Sequence, residues 1–410
     1  MEVKPGYKQT EVGVIPVNWS VISVGVLASF TSGSGIKVGS LAGESPDTPV
    51  PVFGGNGVAG YTSRPLVREP TVVLGRVGQR CGEVYFSSGP AWITDNALFP
   101  RTRHREFDVR FLAFALAGAR LNDVKNRNDL PLVTQAILHS VRIAWPSDAE
   151  EERAIARALS DVDVLLGGLE RLIAKKRDLK QAAMQQLLTG QTRLPGFCGE
   201  WEVKRLGDLF YFSGGYSASR DQLSTEGHCY LHYGDIHGST RTCIDTDADF
   251  QNIPRLDVPL KRVSAASLLD DGDVVFVDAS EDDAGTSKHV VVVNKKKKPF
   301  VAGLHTIVAK SKTDELAHAY RRYCFQTTAI RQQFLFYSVG TKVSGISKSN
   351  IPKLTLSFPS IPEQIGIAEA LTEMDEELVA LEARRDKTHA LKQGMMQELL
   401  TGRTRLVGAS

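Results

Sequence analysis

The 410-residue sequence has no apolar run near the ~18–20 residues that cross a bilayer. Its longest candidate, residues 111–121, is short and flanked by Arg110 and Arg120. The opening, Met1-Glu-Val-Lys-Pro-Gly-Tyr-Lys8, is polar where a secretory leader would be apolar, so a cytoplasmic protein is expected. Cysteine is sparse: Cys81, Cys198, Cys229, Cys243 and Cys324 are scattered, odd in number and lack CxxC spacing. That usage fits a reducing compartment better than a disulfide framework or a zinc site. A net charge of +2 gives bulk charge no say in the choice of partner. Phosphate-loop, dinucleotide, zincin and nucleophile-elbow motifs are missing too. Gly33-Ser-Gly35 and Gly54-Gly-Asn-Gly57 read as turns, with no amphipathic helix after them. His228, His232 and His237 have no accompanying ligand pair and read as loop histidines, and Glu281-Asp-Asp283 reads as a solvated turn. Glu202-Val-Lys204 resembles half of a nuclease element, but the matching place upstream is Ser20-Val-Ile22. No catalytic residue, metal site or cofactor site is predicted.

What is present is a long-period repeat, and it decides the reading. Leu187-Leu-Thr-Gly-Gln-Thr-Arg-Leu194 returns 212 residues later as Leu399-Leu-Thr-Gly-Arg-Thr-Arg-Leu406. Trp19, Val21, Gly25, Leu27 and Phe30 return 182 residues later as Trp201, Val203, Gly207, Leu209 and Phe212. The shifts differ, so the material between the repeated ends differs in length. A body followed by a constant helix, twice over, accounts for both.

The helices are predicted over residues 148–189 and 362–401. Ile155, Leu159, Val162, Leu166 and Leu169 alternate steps of four and three, and the shift of 212 carries them onto Ile367, Leu371, Met374, Leu378 and Leu381. These ten residues are the expected helix-pair and partner seam. Gly190 and Gly402 supply stop signals, and Pro362 suits a first turn. Each helix is acidic early and basic late, which suits its dipole and an antiparallel pair. At ~1.5 Å per residue each spans roughly 60 Å.

The bodies read as β-rich, with strands at 71–74, 82–86, 273–277, 290–293 and 306–308 and helices near 109–119 and 315–325. Asn18-Trp19 and Glu200-Trp201 each place a tryptophan to plug a core. Two similar but unequal bodies suit duplex DNA, whose grooves recur every ~34–36 Å along one face. Reading bases and phosphates calls for Arg, Lys, Asn, Gln and hydroxyl side chains on loops. Candidates in the first body are Arg76, Gln79, Arg80, Asn126, Arg127 and Asn128. In the second they are Tyr216, Ser219, Arg220, Thr341, Lys342, Ser347 and Lys348. The run Lys295–Lys298 reads as a solvated hairpin tip in preference to a phosphate clamp.

The opening through Trp19, the stretches Phe53-Gly-Gly-Asn-Gly-Val-Ala-Gly-Tyr61 and Val73–Gly82, Ala144-Trp-Pro146, Pro362-Glu-Gln364 and the Lys-Gln-x-x-Met-Gln-x-Leu-Leu-Thr-Gly helix endings occur in order. Together they resemble the specificity subunit of Type I restriction–modification enzymes, over nearly the whole chain. The first half departs from the pattern: Ser147–Glu152 lacks the proline-glutamate-glutamine helix start, which should alter the helix's first turn and not the fold. The resemblance implies a mixed α/β protein with pseudo-two-fold duplication. Two target recognition domains (residues 1–146 and 191–359) would be separated by antiparallel spacer helices (147–190 and 360–410 with the tail). It implies a non-catalytic subunit that reads a split double-stranded DNA target. Its partners would be two modification (methyltransferase) and two restriction (translocase-nuclease) subunits, which would carry S-adenosylmethionine, ATP and Mg2+. A Type IIB/IIG-like partner set, or a scaffold or decoy that binds the methyltransferase without reading DNA, are the alternatives.

Overall fold

The computed structural model describes residues 4–119, 121, 131–239, 241–280, 287–339 and 344–406. The fold is mixed α/β and divides into two compact units: residues 1–171 with 381–410, and residues 172–380.

The first unit holds a four-stranded antiparallel sheet of β1 (Ala28–Ser32), β2 (Thr71–Gly75), β3 (Val84–Ser87) and β4 (Ala97–Arg103), in the order β1-β4-β2-β3. All five residues of β2 are buried, as a central strand covered on both faces requires. Helix α1 (Val109–Gly118) starts on Asp108, whose carboxylate accepts from the backbone N–H groups of Arg110 and Phe111. It and α2 (Gln135–Ser140) cover the sheet, with Phe30, Leu74, Phe111, Leu116 and Leu138 in one core. Helix α3 (Ala149–Leu187) follows, 39 residues and about 58 Å long.

The second unit's main sheet has five strands: β5 (Phe210–Gly214), β6 (Cys243–Asp245), β7 (Val274–Val277), β8 (His289–Val293) and β9 (Thr306–Ser311), in the order β5-β9-β7-β8-β6. Only the β6–β8 pairing is parallel. Helices α4 (Tyr233–His237), α5 (His318–Cys324) and α6 (Thr328–Tyr337) are followed by α7 (Ile361–Leu399), again 39 residues long. The helix expected near residue 315 begins at His318, after an extended Ala317; before it the Glu315 carbonyl accepts from Gln364 and the Leu316 carbonyl takes two bonds from the buried Arg321 guanidinium.

The 182-residue shift has a structural counterpart. Strand Ser20–Ser23, a turn at Val24–Leu27 and β1 recur as strand Glu202–Arg205, a turn at Leu206–Leu209 and β5. Added Cβ atoms would lie 3.0 Å from the His139 Cβ at Gly25 and 2.9 Å from the Pro352 Cβ at Gly207, so glycine recurs where the turn is pressed against its neighbour. The closing strands, Arg142–Trp145 and Thr355–Phe358, pair with these opening strands.

Segments of the two long helices run antiparallel inside each unit. In the first unit Lys392 pairs with Asp163 at 2.5 Å and His389 stands 3.9 Å from Glu170. In the second Lys176 pairs with Glu377 at 2.7 Å and Lys180 with Asp375. Of the ten seam residues, Val162, Met374 and Leu381 are half-buried and the rest buried. Ile155 and Leu159 belong to the core around Trp19 and Leu138, and Ile367 and Leu371 to the core around Leu206 and Tyr320. The start of each seam therefore packs on a body, because each helix crosses its own body's core before leaving it.

A Trp–Arg–Glu cluster fastens each unit. In the first, the buried Glu151 carboxylate accepts from Trp19 Nε1 at 3.0 Å and from Arg405 Nη2 at 2.8 Å, and Arg405 lies over the Trp19 ring. In the second, buried Glu363 takes a two-pronged bond from Arg193 (both contacts 2.5 Å), which lies over the Trp201 ring. Gly190 (φ +71°) and Gly402 (φ +67°) turn the chain out of each helix so that the arginine tail can reach back. Trp201 departs from the expected plug: it is half-buried, and its Nε1 has no partner.

The altered helix start has a local solution. Gln364 accepts from the Ala317 N–H at 2.8 Å and donates to the Pro359 carbonyl at 2.9 Å. Glu152, at the matching place, has no amide hydrogens; it accepts from the Asp108 N–H at 3.2 Å and from Trp145 Nε1 at 2.6 Å. Trp145 supplies the N–H that Phe358 lacks. Burial pushes the Glu152 carboxyl above its usual range, with these two donors opposing.

His289 lies in the second unit's core against Phe276 and Phe325, and burial pushes its imidazole down to about 4 from 6.5. The folded state holds the neutral ring, so its contribution is intact above the unfolded value and is lost as pH falls from about 6.5 to about 4. Thermal unfolding measured across that range should show an acid-labile increment on the order of 3 kcal/mol. His289→Leu should flatten that part of the curve; an unchanged pH slope would remove His289 as its source.

Candidate nucleic-acid interface

Each sheet gathers its loops at one end. In the first unit, residues 33–35, 54–57, 76–82 and 94–96 are laced together by backbone hydrogen bonds. Gly33 N–H donates to the Thr94 carbonyl (3.2 Å), Thr94 N–H to Phe53 (2.9 Å) and Arg76 N–H to Asn96 (2.9 Å). A Cβ on Gly33 would lie 1.9 Å from the Ile93 carbonyl oxygen, so the chains meet more closely than any side chain allows. Arg76 is half-buried; its Nη1 donates to Ser32 Oγ at 2.9 Å, and its Nε is buried without a partner. Gln79 and Arg80 are exposed on the following turn. Arg80 stands beside Tyr85, whose hydroxyl donates to Glu83 at 2.8 Å; burial and that bond raise Tyr85 to about 12. Asn126, Arg127 and Asn128 lie outside the described residues.

In the second unit, residues 215–222, 232–237 and 303–305 converge, with Asp278 and Ile346 beside them. Gly215 N–H donates to Thr306, Tyr216 N–H to Ala302, Asp278 N–H to His305 and Ile346 N–H to Asp278. Tyr216 is half-buried against Ala218, Tyr230 and Val301, and its carbonyl accepts from the Tyr230 hydroxyl at 2.9 Å. Ser219 is exposed and caps a short turn through Gln222. Arg220 is exposed, 3.5 Å from His232 Nδ1 and 3.7 Å from Asp235. His232 Nδ1 accepts the Gly234 N–H at 3.0 Å; burial, with the Arg220 charge, pushes this ring down, so it serves as a neutral acceptor. Ser347 and Lys348 are exposed just beyond Ile346, while Thr341 and Lys342 lie outside the described residues.

The lysine run is elsewhere. Strand β8 ends at the opposite end of the sheet from Asp278, and there Lys296 and Lys298 both pair with Asp247, at 3.3 and 2.7 Å. Lys204 is held by Glu202 and Glu315. No group of three or more His, Cys, Asp or Glu side chains suited to a metal occurs among the described residues, and Glu281–Asp283 lie outside them. Asn96, Tyr233, Asp278 and His305 are at these loop ends without having been singled out in the sequence. Nothing local marks them, because strand pairing between distant residues brings them together.

Residues 199–388 match the family model of the Type I restriction modification DNA specificity domain. The Type I restriction enzyme MjaVIII specificity subunit of Methanocaldococcus jannaschii is 22% identical over 96% of this chain and 94% of its own length. The Type I restriction–modification S subunit of M. genitalium shares the fold, with a TM-score of 0.62 at 15% identity over 97% of this chain and 98% of that one. A chain of a second Type I system, solved in work on complex assembly and conformational transition, matches with a TM-score of 0.54 at 14% identity, over 95% and 99%.

Proposed function

We infer that this chain is the DNA specificity subunit of a Type I restriction–modification enzyme, a non-catalytic component that supplies the address for partners that modify and cut. The observation that carries the reading is one frame used twice with different loops. Strand–turn–strand opening, long helix and Trp–Arg–Glu cluster recur, while the loop ends carry different side chains, Arg76, Gln79 and Arg80 in one and Tyr216, Ser219 and Arg220 in the other. Such a chain reads two unlike half-sites of a split duplex target.

In this reading residues 1–146 and 191–359 are the recognition domains, and the helices of 147–190 and 360–410 set the unread spacer. Two methyltransferase subunits dock on the helices. Leu172 and Leu179 of the second unit support this, since they are spaced by seven and 39% and 48% exposed, an apolar pair on α3 that another helix would cover. Two translocase-nuclease subunits complete the assembly. S-adenosylmethionine, ATP and Mg2+ belong to those partners, and the complex works in the cytoplasm.

Deleting the chain in its host and mapping adenine methylation by single-molecule sequencing tests the reading. Loss of one split, asymmetric motif is the expected result; an unchanged map counts against it. At the loop ends, Arg80→Ala and Arg220→Ala should each weaken DNA binding by the assembled enzyme. A lost phosphate contact lowers the slope of log K against log salt by about 0.9, whereas a lost base contact leaves the slope and reduces discrimination. Binding unchanged across the salt series would remove that arginine from the interface.

A further inference from the structure

Among the described residues two non-glycine positions take the left-handed backbone, Lys297 at φ +52° and His305 at φ +60°. Lys297 closes a tight turn organised by Asn294, whose side chain bonds both the N–H and the carbonyl of Lys298. His305 lies in a turn closed by Thr306, whose hydroxyl donates to the Gly303 carbonyl at 2.6 Å. It sits at an exposed tip where glycine would avoid the steric cost, so the side chain is kept against the backbone's preference.

The ring is held by contacts from two other loops. His305 Nδ1 is 3.3 Å from Asp278 Oδ1, an oxygen buried without a hydrogen bond. Tyr233 meets the imidazole edge-on at 5.5 Å, and His232 packs behind Tyr233 at 4.6 Å. Asp278 is itself fixed: its N–H donates to the His305 carbonyl and its carbonyl accepts from Ile346. Yet the His305 side chain remains 51% exposed. With Nδ1 turned to a carboxylate, Nε2 is the ring nitrogen left for a ligand.

The first unit has a counterpart at this position. Ala97 pairs with Gly75 there as Thr306 pairs with Val277 here, and Arg76 N–H donates to Asn96 as Asp278 N–H donates to His305. Asn96 thus stands where His305 stands, and Arg76 where Asp278 stands. The same strand pairing and backbone bond place asparagine beside arginine in one unit and histidine beside aspartate in the other, although of the two only His305 takes the left-handed backbone. Variation in hydrogen-bonding side chains at matched strand ends is what reading different base edges requires.

We propose that His305 is a specificity-determining residue of the second unit, presenting Nε2 to a base edge of duplex DNA while Asp278 and Tyr233 position the ring. This rests on the specificity-subunit reading. The test is the methylated motif made in the host by the full chain with its partners, carrying His305→Gly or His305→Asn, with thermal unfolding of each purified complex. Glycine relieves the backbone and asparagine tolerates it, so both variants should unfold at or above the wild-type midpoint. Methylation at the original sites should fall at least tenfold, with one position of one half-site degenerate or changed and the other half intact. An unchanged motif at full occupancy in both variants overturns the proposal. So does a lowered midpoint in both with uniform loss across the motif, which would mean a structural role. A wild-type chain that yields no split motif would instead sink the specificity reading itself.

Discussion

Replacing Arg405 with alanine is expected to cost the first unit roughly 3 kcal/mol, which lowers its unfolding midpoint by about 6–10 °C. Glu151 is fully buried, and its carboxylate has two kinds of donor: the Arg405 guanidinium and Trp19 Nε1. Without Arg405 a buried charge keeps one neutral hydrogen bond, and the cost is the desolvation left uncompensated, which exceeds the worth of the lost contact. Arg405 also covers the Trp19 ring and donates to Asn18 at 3.2 Å, so packing is lost as well. Glu151→Gln added to Arg405→Ala should recover at least half of the loss, since a neutral amide stays buried more cheaply and still accepts from Trp19. Additive losses in calorimetry of the single and double variants would show that the charge is not the cause. Arg193 and Glu363 make the corresponding pair in the second unit, and Arg193→Ala should lower that unit's transition and leave the first unit's in place.

Leu166→Asp and Leu378→Asp should uncouple the helix pair while sparing the bodies. Both leucines are buried, yet neither belongs to the apolar core of a body. An aspartate at either place has no partner in an apolar seam and costs several kcal/mol. At roughly 3 kcal/mol the complex with the proposed methyltransferase partner would weaken about a hundredfold. On a sizing column the complex should be lost, while the near-ultraviolet signal of buried Trp19 and Trp145 persists. Intact complexes, or loss of that signal, would contradict this division of labour. Ile155→Asp or Ile367→Asp should instead unfold a body, because those seam positions lie in body cores.

The long helices were legible because their pattern is local: apolar positions in steps of three and four, with glycine at the ends, need no distant partner to be recognised. The strands around Val72, Val275 and Val291 were legible for the same reason, as short β-branched runs. Helix α6 was not anticipated, since Thr328–Tyr337 mixes glutamine, arginine and aromatic residues and buries only Ile330 and Phe334. Tyr216 illustrates the limit for the interface. Its loop had the right composition, but its ring half-packs on Tyr230 and Val301, and composition does not say which way a side chain turns. Arg76 is similar: its guanidinium is engaged by Ser32 and the Asp95 carbonyl, residues far from it in sequence.

By itself the sequence determined the repeat, the helix lengths, the glycine stops and the absence of any cofactor motif, because each is carried by spacing along the chain. Tertiary structure alone decided that Arg193 reaches Glu363 and Arg405 reaches Glu151, separations of 170 and 254 residues. It alone set His305 against Asp278 and Tyr233, with Asn96 and Arg76 in the matching place. Those contacts depend on which strands lie side by side and in what register, and pairing between distant strands is fixed by the burial of whole faces. No single residue announces it in the sequence.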